Sequence, residues 1–470
     1  MDSLPNEILV EIFLQCLPDR IREPALESED YTFSPTPEEA PLLLCSVCSL
    51  WREIVIHMPA LWRSILVTID PCSGITRPPI DSLHLWFERS GSEPLWLALH
   101  DNSYRFSFSL LPANSSLADQ VLAIFNLHIS RWHILEINLP NTPLSKEFDT
   151  LPETAAPLLR RVDLNINEPV DGFPNIGFAL SRMLALAPHL QSLTLDHSFN
   201  IDFVDTVNVH WESVTHIDLQ GGVLSAAALA QLLAACHQLV SIRVEEIGME
   251  NSLIPTTFSP LTLDHLRSMY LYTWVELGGL FDKLTLPVLE TLEMSFDPSS
   301  SHSWSNTRVA SLLNNRSTRR LTKVELHDAQ ILEEDLIVLL RACPLLQELV
   351  IQSEIPCRSV QDQILTLLVA SMDGASKSEA DEMRFSYLTY LCPCLHTIVW
   401  INCVYASDGL LSKMVASRRP ETESAPLPPY LQAYLGAIDI GFPGRHIHNH
   451  QEDREAFRVL REDGLDVRIL

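Results

Sequence analysis

The chain has 470 residues, of which 46% are hydrophobic and 20% are charged. This is the composition of a globular protein, and it excludes a largely disordered chain. The 32 basic and 60 acidic residues give a formal net charge of −28. Such a chain repels phosphate backbones and anionic lipid, so neither a nucleic-acid nor a membrane partner is expected.

Targeting and redox features predict a cytoplasmic or nuclear location, or both. The first residues lack a basic region followed by an apolar stretch, so no secretory signal is expected. No uncharged apolar run reaches the roughly 18 residues that span a bilayer. The most apolar stretch, residues 224–239, contains Gln231, His237 and Gln238 and predicts a buried helix. The ten cysteines are scattered, which is typical of reduced thiols.

Two amphipathic helices are predicted near the start of the chain. In the first, which follows Pro5, apolar residues recur at helical spacing: Ile8, Leu9, Ile12, Phe13 and Cys16. The second extends from about residue 41 to residue 57 and has an apolar side: Leu43, Leu44, Val47, Trp51, Ile54 and Val55. Two short helices cannot bury all of these groups between them. Either the rest of the chain or another protein must cover them.

The order of residues in these helices resembles the F-box motif. The matching residues are Leu4-Pro5-x-Glu7-Ile8-Leu9-x-x-Ile12-Phe13, then Leu44-x-x-Val47-Cys48-x-x-Trp51-Arg52, then Leu61-Trp62. The resemblance implies that residues 1–65 form an F-box, which binds a Skp-family adaptor and, through it, a cullin-RING scaffold. It also implies the adaptor-binding residues: Leu4, Pro5, Ile8, Ile12, Val47, Cys48 and Trp51.

The segment between the two helices departs from the F-box pattern. At about residues 19–40 the chain has an acidic stretch with three prolines, where a compact F-box has only a short turn. Such a stretch predicts an exposed loop. It is expected to bulge outward, although it could instead displace the second helix and weaken adaptor docking.

The pattern apolar-x-x-apolar-x-apolar recurs ten times in the rest of the chain. Its copies are Ile134-Ile137-Leu139, Leu159-Val162-Leu164, Leu190-Leu193-Leu195, Val214-Ile217-Leu219, Leu239-Ile242-Val244, Leu266-Met269-Leu271, Leu289-Leu292-Met294, Leu321-Val324-Leu326, Leu346-Leu349-Ile351 and Leu395-Ile398-Trp400. From Leu139 to Ile351 the last residues of successive copies lie 23 to 32 positions apart. Leucine-rich repeats have a period of roughly 20–29 residues.

This repetition predicts an α/β fold, in which the N-terminal F-box is followed by an irregular leucine-rich-repeat solenoid over residues 66–470. Insertions are predicted at about residues 355–390 and 415–430. The stretches 86–97 and 130–132 resemble the opening of fungal F-box proteins with degenerate repeats. The residues alone leave open the alternative of an ordinary α/β domain with amphipathic strands.

Strand alternation predicts where a target protein would bind. In each copy the repeated apolar residues point into the core, so the residues between them share the opposite face. The candidate target-binding residues are His216, Asp218, Arg243, Glu245, Tyr270, Tyr272, Glu325 and His327. The two tyrosines are the best anchors, because tyrosine combines a large contact area with a polar tip.

No motif in the sequence predicts catalysis, and no metal or cofactor is expected. Cys45 and Cys48 have redox-pair spacing but lie inside a predicted helix, where packing is the simpler role. Cys392 and Cys394 form a lone pair, and the alternating histidines at 446–450 lie in a predicted loop. There is no nucleophile elbow, phosphate-binding loop or dinucleotide-binding glycine motif.

Three hypotheses follow for function. The first is a substrate-recognition subunit of an SCF-type cullin-RING ubiquitin ligase, which performs no bond chemistry itself. The second is a repeat scaffold that holds a partner without ligase coupling. The third, an enzyme with a site that no spacing reveals, has the least support from the sequence.

Overall fold

A computed structural model describes most of the chain. The described residues are 5–17, 35–70, 74–101, 115–139, 156–166, 184–196, 209–248, 259–275, 277–298, 320–369, 391–419, 433–444, 450–462 and 464–469. Leu4, most of the acidic loop and much of each predicted insertion lie outside these ranges. By its internal contacts the chain divides into two units. The first is Met1–Leu224 with Ala235–His237, and the second is Ser225–Ala234 with Gln238–Leu470.

Eleven α-helices occur in the described residues. They are α1 (Asn6–Gln15), α2 (Leu42–Val47), α3 (Ser49–Ile56), α4 (Ile80–Arg89), α5 (Ser115–Asn126), α6 (Ala226–Ala235), α7 (Gly278–Phe281), α8 (Glu333–Ala342), α9 (Asp362–Leu368), α10 (Leu410–Ser417) and α11 (Gln451–Glu462). Short 3-10 turns are Pro59–Trp62, Ile129–Arg131 and Trp211–Ser213. None of the described helices is both long enough and apolar enough to cross a bilayer.

Seventeen strands occur in the same residues. They are β1 (Ser64–Asp70), β2 (Ile75–Arg77), β3 (Leu95–Asp101), β4 (Trp132–Leu139), β5 (Arg161–Ile166), β6 (Ser192–Asp196), β7 (His216–Leu219), β8 (Ser241–Ile247), β9 (Leu261–Thr262), β10 (Ser268–Thr273), β11 (Leu284–Thr285), β12 (Thr291–Phe296), β13 (Lys323–His327), β14 (Glu348–Gln352), β15 (Thr397–Ile401), β16 (Ala437–Gly441) and β17 (Asp466–Ile469).

The predicted second helix near the N-terminus is in fact two helices. Cys48 separates α2 from α3, because its backbone is extended, with φ −159° and ψ 171°. The Cys48 Sγ accepts a weak hydrogen bond from the backbone N–H of Trp51 at 3.5 Å, in the position of an N-cap. A side-chain acceptor at this place satisfies one of the free N–H groups that begin a helix. The first helix agrees with prediction: α1 follows Pro5 and ends before Cys16.

Parallel strands form the sheet of each unit. In the first unit the strand order is β2-β1-β3-β4-β5-β6-β7, and only β1 with β2 is antiparallel. In the second unit the order is β8-β10-β12-β13-β14-β15-β16-β17, and all of these pairs are parallel. A separate small pair, β9 with β11, is also parallel. The protein is therefore a mixed α/β protein with extensive parallel sheet.

Each of the ten predicted copies coincides with a strand from β4 to β15, apart from the small pair. The last two apolar residues of each copy lie in the strand and are buried, and the first one is buried within or just before it. Equivalent positions stand side by side in the ladder, as Leu292, Val324, Leu349 and Ile398 do in β12 to β15. Burying a leucine or valine side chain contributes roughly 1.5–3 kcal/mol to the free energy of folding. Each strand therefore contributes to the stability of the core. The repeated pattern of the sequence is confirmed at the level of strands.

Buried tryptophans join two helices to the strands that follow them. The indole N–H of Trp62 donates to the carbonyl of Val55 at 2.8 Å, and that of Trp132 donates to Phe125 at 2.9 Å. Both donors lie seven residues after their acceptors, and both side chains are 1% exposed. An aromatic side chain at this spacing buries a large area while satisfying its one polar group. The two hydrogen bonds tie α3 to the Pro59–Trp62 turn that precedes β1 and tie α5 to the start of β4.

Candidate functional site

Five exposed apolar side chains lie on the first three helices. These residues, the N-terminal apolar surface, are Ile8, Ile12, Leu43, Val47 and Leu50. Their exposed fractions lie between 41% for Ile12 and 53% for Val47. Ile8 and Ile12 are one turn apart on α1 and therefore share one side of that helix. Single exposed leucines are ordinary, but several on one small helical module are typical of a partner site.

The opposite side of α1 packs inside the chain. Leu9 is 6% exposed and Phe13 is fully buried. The rings of Phe13 and Trp51 have centroids 4.8 Å apart and are tilted by 59°, which joins α1 to α3. The apolar residues of the first helix thus divide into an inner pair, Leu9 and Phe13, and an outer pair, Ile8 and Ile12.

The predicted adaptor-binding residues fall into three groups. Pro5, Ile8, Ile12, Val47 and Cys48 are exposed. Trp51 is half-buried and packs on Phe13, so part of its side chain serves the fold. Leu4 lies outside the described residues.

A row of carboxylates crosses the exposed face of the sheet in the first unit. The ladder places Glu136, Asp163, Thr194 and Asp218 side by side on β4 to β7. We call this row the acidic strand row. Neighbouring strands lie about 4.8 Å apart, so Glu136 and Asp163 repel one another. His100 on β3 adjoins this row, with its Nε2 at hydrogen-bond distance, 2.5 Å, from a carboxylate oxygen of Glu136.

Within this row, the pKa of the Asp163 carboxyl is shifted strongly. The pKa of its carboxyl is raised to about 6, first by burial and then by the charges of Glu136 and Asp218, against the attraction of Arg161. The nearest guanidinium nitrogen of Arg161 is 3.5 Å away, at the limit of a hydrogen bond. A carboxyl whose pKa is raised by burial and by neighbouring carboxylates is a candidate for contact with other molecules.

Replacing Asp163 with asparagine is expected to stabilise the protein at pH 8 but not at pH 4. The pKa of Asp163 in the folded chain is above that of an unfolded aspartate, so its ionisation opposes folding. This penalty is absent below about pH 4, grows between about pH 4 and 6, and is complete above that range. The expected gain for Asp163→Asn at pH 8 is roughly 3 kcal/mol, measured from thermal unfolding midpoints across this range. Asp264→Asn, at an exposed position, is the control and should show no such pH dependence. An equal gain at both pH values would contradict this origin of the effect.

The exposed face of the sheet in the second unit carries aromatic and charged side chains. We call Arg243, Glu245, Tyr270, Tyr272, Glu293, Glu325 and His327 the second strand face. Register places Tyr270 between Arg243 and Glu293. The Arg243 guanidinium stacks over the Tyr270 ring at 4.0 Å and donates to Glu245 at 2.8 Å. The tyrosine is thereby held in place before any partner arrives, which lowers the entropic cost of binding.

Ion pairs continue this face toward β13. His327 Nε2 lies 3.4 Å from Glu325 and 3.8 Å from Glu293, and Lys323 Nζ lies 2.6 Å from the other oxygen of Glu325. The hydrogen bond from His327 lowers the pKa of Glu325 to about 2, with Lys323 adding to the effect against burial. The same hydrogen bond raises the pKa of His327. The pKa of Glu293 is raised by burial and by the charge of Glu325, against the attraction of His327, Arg243 and Lys323.

The predicted target-binding residues belong to the sheets of both units. His216 and Asp218 belong to the first unit, and the other six belong to the second strand face. All eight are half-buried. The predicted target-binding set did not include Glu136, Asp163 or His100. The same alternation rule does place Glu136 and Asp163 between the apolar residues of the two earliest copies.

Among the described residues, two groups of side chains have ligand atoms close enough together to hold a metal ion. One is Glu293, Glu325 and His327, which are the ion pairs just described. The other is Asp408, His450 and Asp453. Here the oxygens already serve as helix caps: Asp408 accepts from the N–H groups that open α11, at 3.1 Å.

Asp453 in the second group is held by hydrogen bonds within the chain. It is fully buried and accepts from the N–H of Ser412 at 2.8 Å and from His450 Nδ1 at 2.9 Å. Burial alone would raise its pKa, but these hydrogen bonds outweigh burial and lower the pKa. The cluster joins α10 to α11 and needs no ion to explain it. Of the predicted loop histidines only His450 lies within the described residues.

No protein-family model matches this chain, and no curated protein matches its sequence. Among solved structures, a chain of the Rad7 and Elc1 complex in yeast is similar. The two chains are 16% identical, and the match covers 80% of this chain and 76% of that one. The TM-score is 0.42, which does not define a shared family.

Proposed function

We propose that this chain is the substrate-recognition subunit of an SCF-type cullin-RING ubiquitin ligase. Helices α1 to α3 bind a Skp-family adaptor, and the strand faces of a leucine-rich-repeat-like array bind a target protein. The chain performs no bond chemistry itself. It raises the effective concentration of a target near a ubiquitin-loaded partner, which is how tethering accelerates a reaction. It acts in the cytoplasm, the nucleus or both.

The observation that carries this proposal is the N-terminal apolar surface. Ile8 is 46% exposed and Val47 is 53% exposed. These are the positions at which the F-box resemblance implies adaptor contacts. A core of exposed aliphatic side chains is typical of a protein interface.

The direct test is a binding measurement with a purified Skp-family adaptor and the purified full-length chain. Interferometry should give a Kd of about 1 μM or tighter, in the range of specific protein complexes. No binding at tens of micromolar would exclude the ligase assignment. It would leave the alternative of a repeat scaffold without ligase coupling.

Target capture is expected to depend on Tyr270 and Tyr272. Replacing both with alanine removes two aromatic side chains, of which Tyr270 is held in place by Arg243, and each is worth on the order of 1–2 kcal/mol at an interface. Proximity labelling in cells should therefore lose the proteins that wild type labels reproducibly. A variant with defective adaptor binding is the matched control, because it should keep the same proteins and lose only the adaptor. An unchanged set after both tyrosine substitutions would remove this face from the proposal.

A further inference from the structure

An apolar pocket of about 520 Å³ lies in the first unit. Its walls come from the segment before α2, the Pro59–Trp62 turn, β2 and α4. The indoles of Trp62 and Trp86 line it, with ring centroids 4.7 Å apart in an edge-to-face arrangement. Ile75 and Leu85 also line it and are 47% and 52% exposed. Pockets of about 300–1,000 Å³ with aromatic linings are typical of small-molecule sites.

The charges at this pocket have one sign. Arg77 and Arg89 line it, and no carboxylate does so among the described residues. Within that part of the chain neither guanidinium forms an ion pair, in a protein whose formal net charge is −28. Arg89 stacks over the ring of Trp62 at 4.5 Å. Stacking uses the flat face of a guanidinium and leaves its N–H edge available to an anion.

A buried donor at the pocket also lacks an acceptor. Trp86 is 4% exposed, and its indole N–H has no hydrogen-bond partner among the described residues. Leaving a buried donor unsatisfied costs about 1–3 kcal/mol, and such groups are rare in folded proteins. The equivalent N–H of Trp62 is satisfied by Val55, so of the two tryptophans that line the pocket only Trp86 has this unmet donor.

We infer that this pocket binds a small aromatic anion, such as an aryl carboxylate or sulfonate. The ring of the ligand packs against Trp62, Trp86 and the exposed aliphatic side chains, and the anionic group binds Arg77 and Arg89. A neutral analogue would lose the charge-assisted hydrogen bonds, which are about twice as strong as neutral ones. A cationic analogue would be repelled. This site is separate from the N-terminal apolar surface and holds whether or not the chain binds an adaptor.

The test uses 2-naphthoate and its uncharged amide, 2-naphthamide, as probes. Isothermal titration calorimetry with the full-length chain should show one naphthoate bound per chain. A ligand of this size with good contacts has a Kd of about tens of micromolar. The amide should bind at least about tenfold more weakly, since it cannot pair with a guanidinium. Equal affinities for acid and amide, or no binding of naphthoate, would overturn the assignment.

Two variants locate the site. Arg77→Gln with Arg89→Gln should weaken naphthoate binding by about tenfold or more and leave the weak amide binding unchanged. The matched control, Arg341→Gln with Lys413→Gln, removes the same charge from exposed positions of the second unit and should bind like wild type. Ser82→Phe fills the pocket and should abolish both interactions. Wild-type affinity in the double arginine variant or in Ser82→Phe would place the ligand elsewhere and reject the proposal.

Discussion

Replacing Ile8 and Val47 together with aspartate is expected to abolish adaptor binding while the protein stays folded. Both side chains are about half exposed, so in the free chain the two carboxylates remain in water. In the complex they would be buried against apolar groups without partners. Each buried unpaired charge costs several kcal/mol, and together they should weaken binding by at least about 100-fold.

The choice of positions follows from the structure. Trp51 and Phe13 are part of the same motif, but their rings pack on each other inside the chain. A substitution at Trp51 would therefore disturb the packing of α1 on α3 and could not separate binding from folding. Ile8 and Val47 lie on the exposed sides of their helices, so their replacement leaves that packing in place.

Leu127→Asp with Val459→Asp is the matched control. Both residues are exposed, at 74% and 53%, and lie outside the N-terminal helices. This variant adds the same charge and should bind the adaptor as wild type does. Circular dichroism should show equal helix content in all three proteins. Retention of affinity by Ile8→Asp with Val47→Asp would show that the adaptor does not bind these helices.

Replacing Arg418 with methionine is expected to destabilise the protein strongly. Arg418 follows α10, is 1% exposed, and has no carboxylate beside it among the described residues. Instead its guanidinium donates to three backbone carbonyls: Leu368 at 2.7 Å, Leu391 at 2.5 Å and Cys392 at 2.9 Å. Burial lowers its pKa to about 10, so it stays charged at neutral pH.

The three carbonyls belong to segments far apart in sequence. Leu368 ends α9, and the other two lie just before β15. Methionine keeps an unbranched apolar stem but donates nothing, and each buried carbonyl left unsatisfied costs about 1–3 kcal/mol. Relief from burying a charge offsets part of this cost. The net expected loss is roughly 3 kcal/mol, seen as a lower thermal midpoint and as faster amide exchange in α9 and α10.

Arg418→Lys and Arg341→Met provide the comparisons for this experiment. Lysine keeps the charge but cannot reach three carbonyls with one ammonium group, so an intermediate loss is expected. Arg341 is exposed on α8, and its replacement should change stability by less than about 0.5 kcal/mol. A loss for Arg418→Met no greater than that for Arg341→Met would show that the three hydrogen bonds are energetically unimportant.

The strands were the most predictable part of the fold. A pattern of apolar residues with period two records which side chains of a strand face the core, and it does so within five or six residues. Ten such copies gave ten strands, from Ile134 in β4 to Trp400 in β15. The break at Cys48 was not expected, because nothing in the local pattern distinguishes a helix from two short helices in succession.

The sequence by itself thus determined the strands, their inward residues and the outward strand positions that carry His216, Asp218 and the second strand face. Only the tertiary structure decided which side of α1 stays exposed, since Ile8 and Leu9 are equally apolar and the difference depends on how α1 packs against α3. The tertiary structure also decided the burial and the hydrogen-bond partners of Asp163 and Arg418. In the sequence alone both residues look like ordinary solvated charges. Periodicity is a local property, whereas the burial and pairing of a polar group depend on neighbours that are distant in sequence. For Arg418 the nearest acceptor in sequence, Cys392, lies 26 residues away.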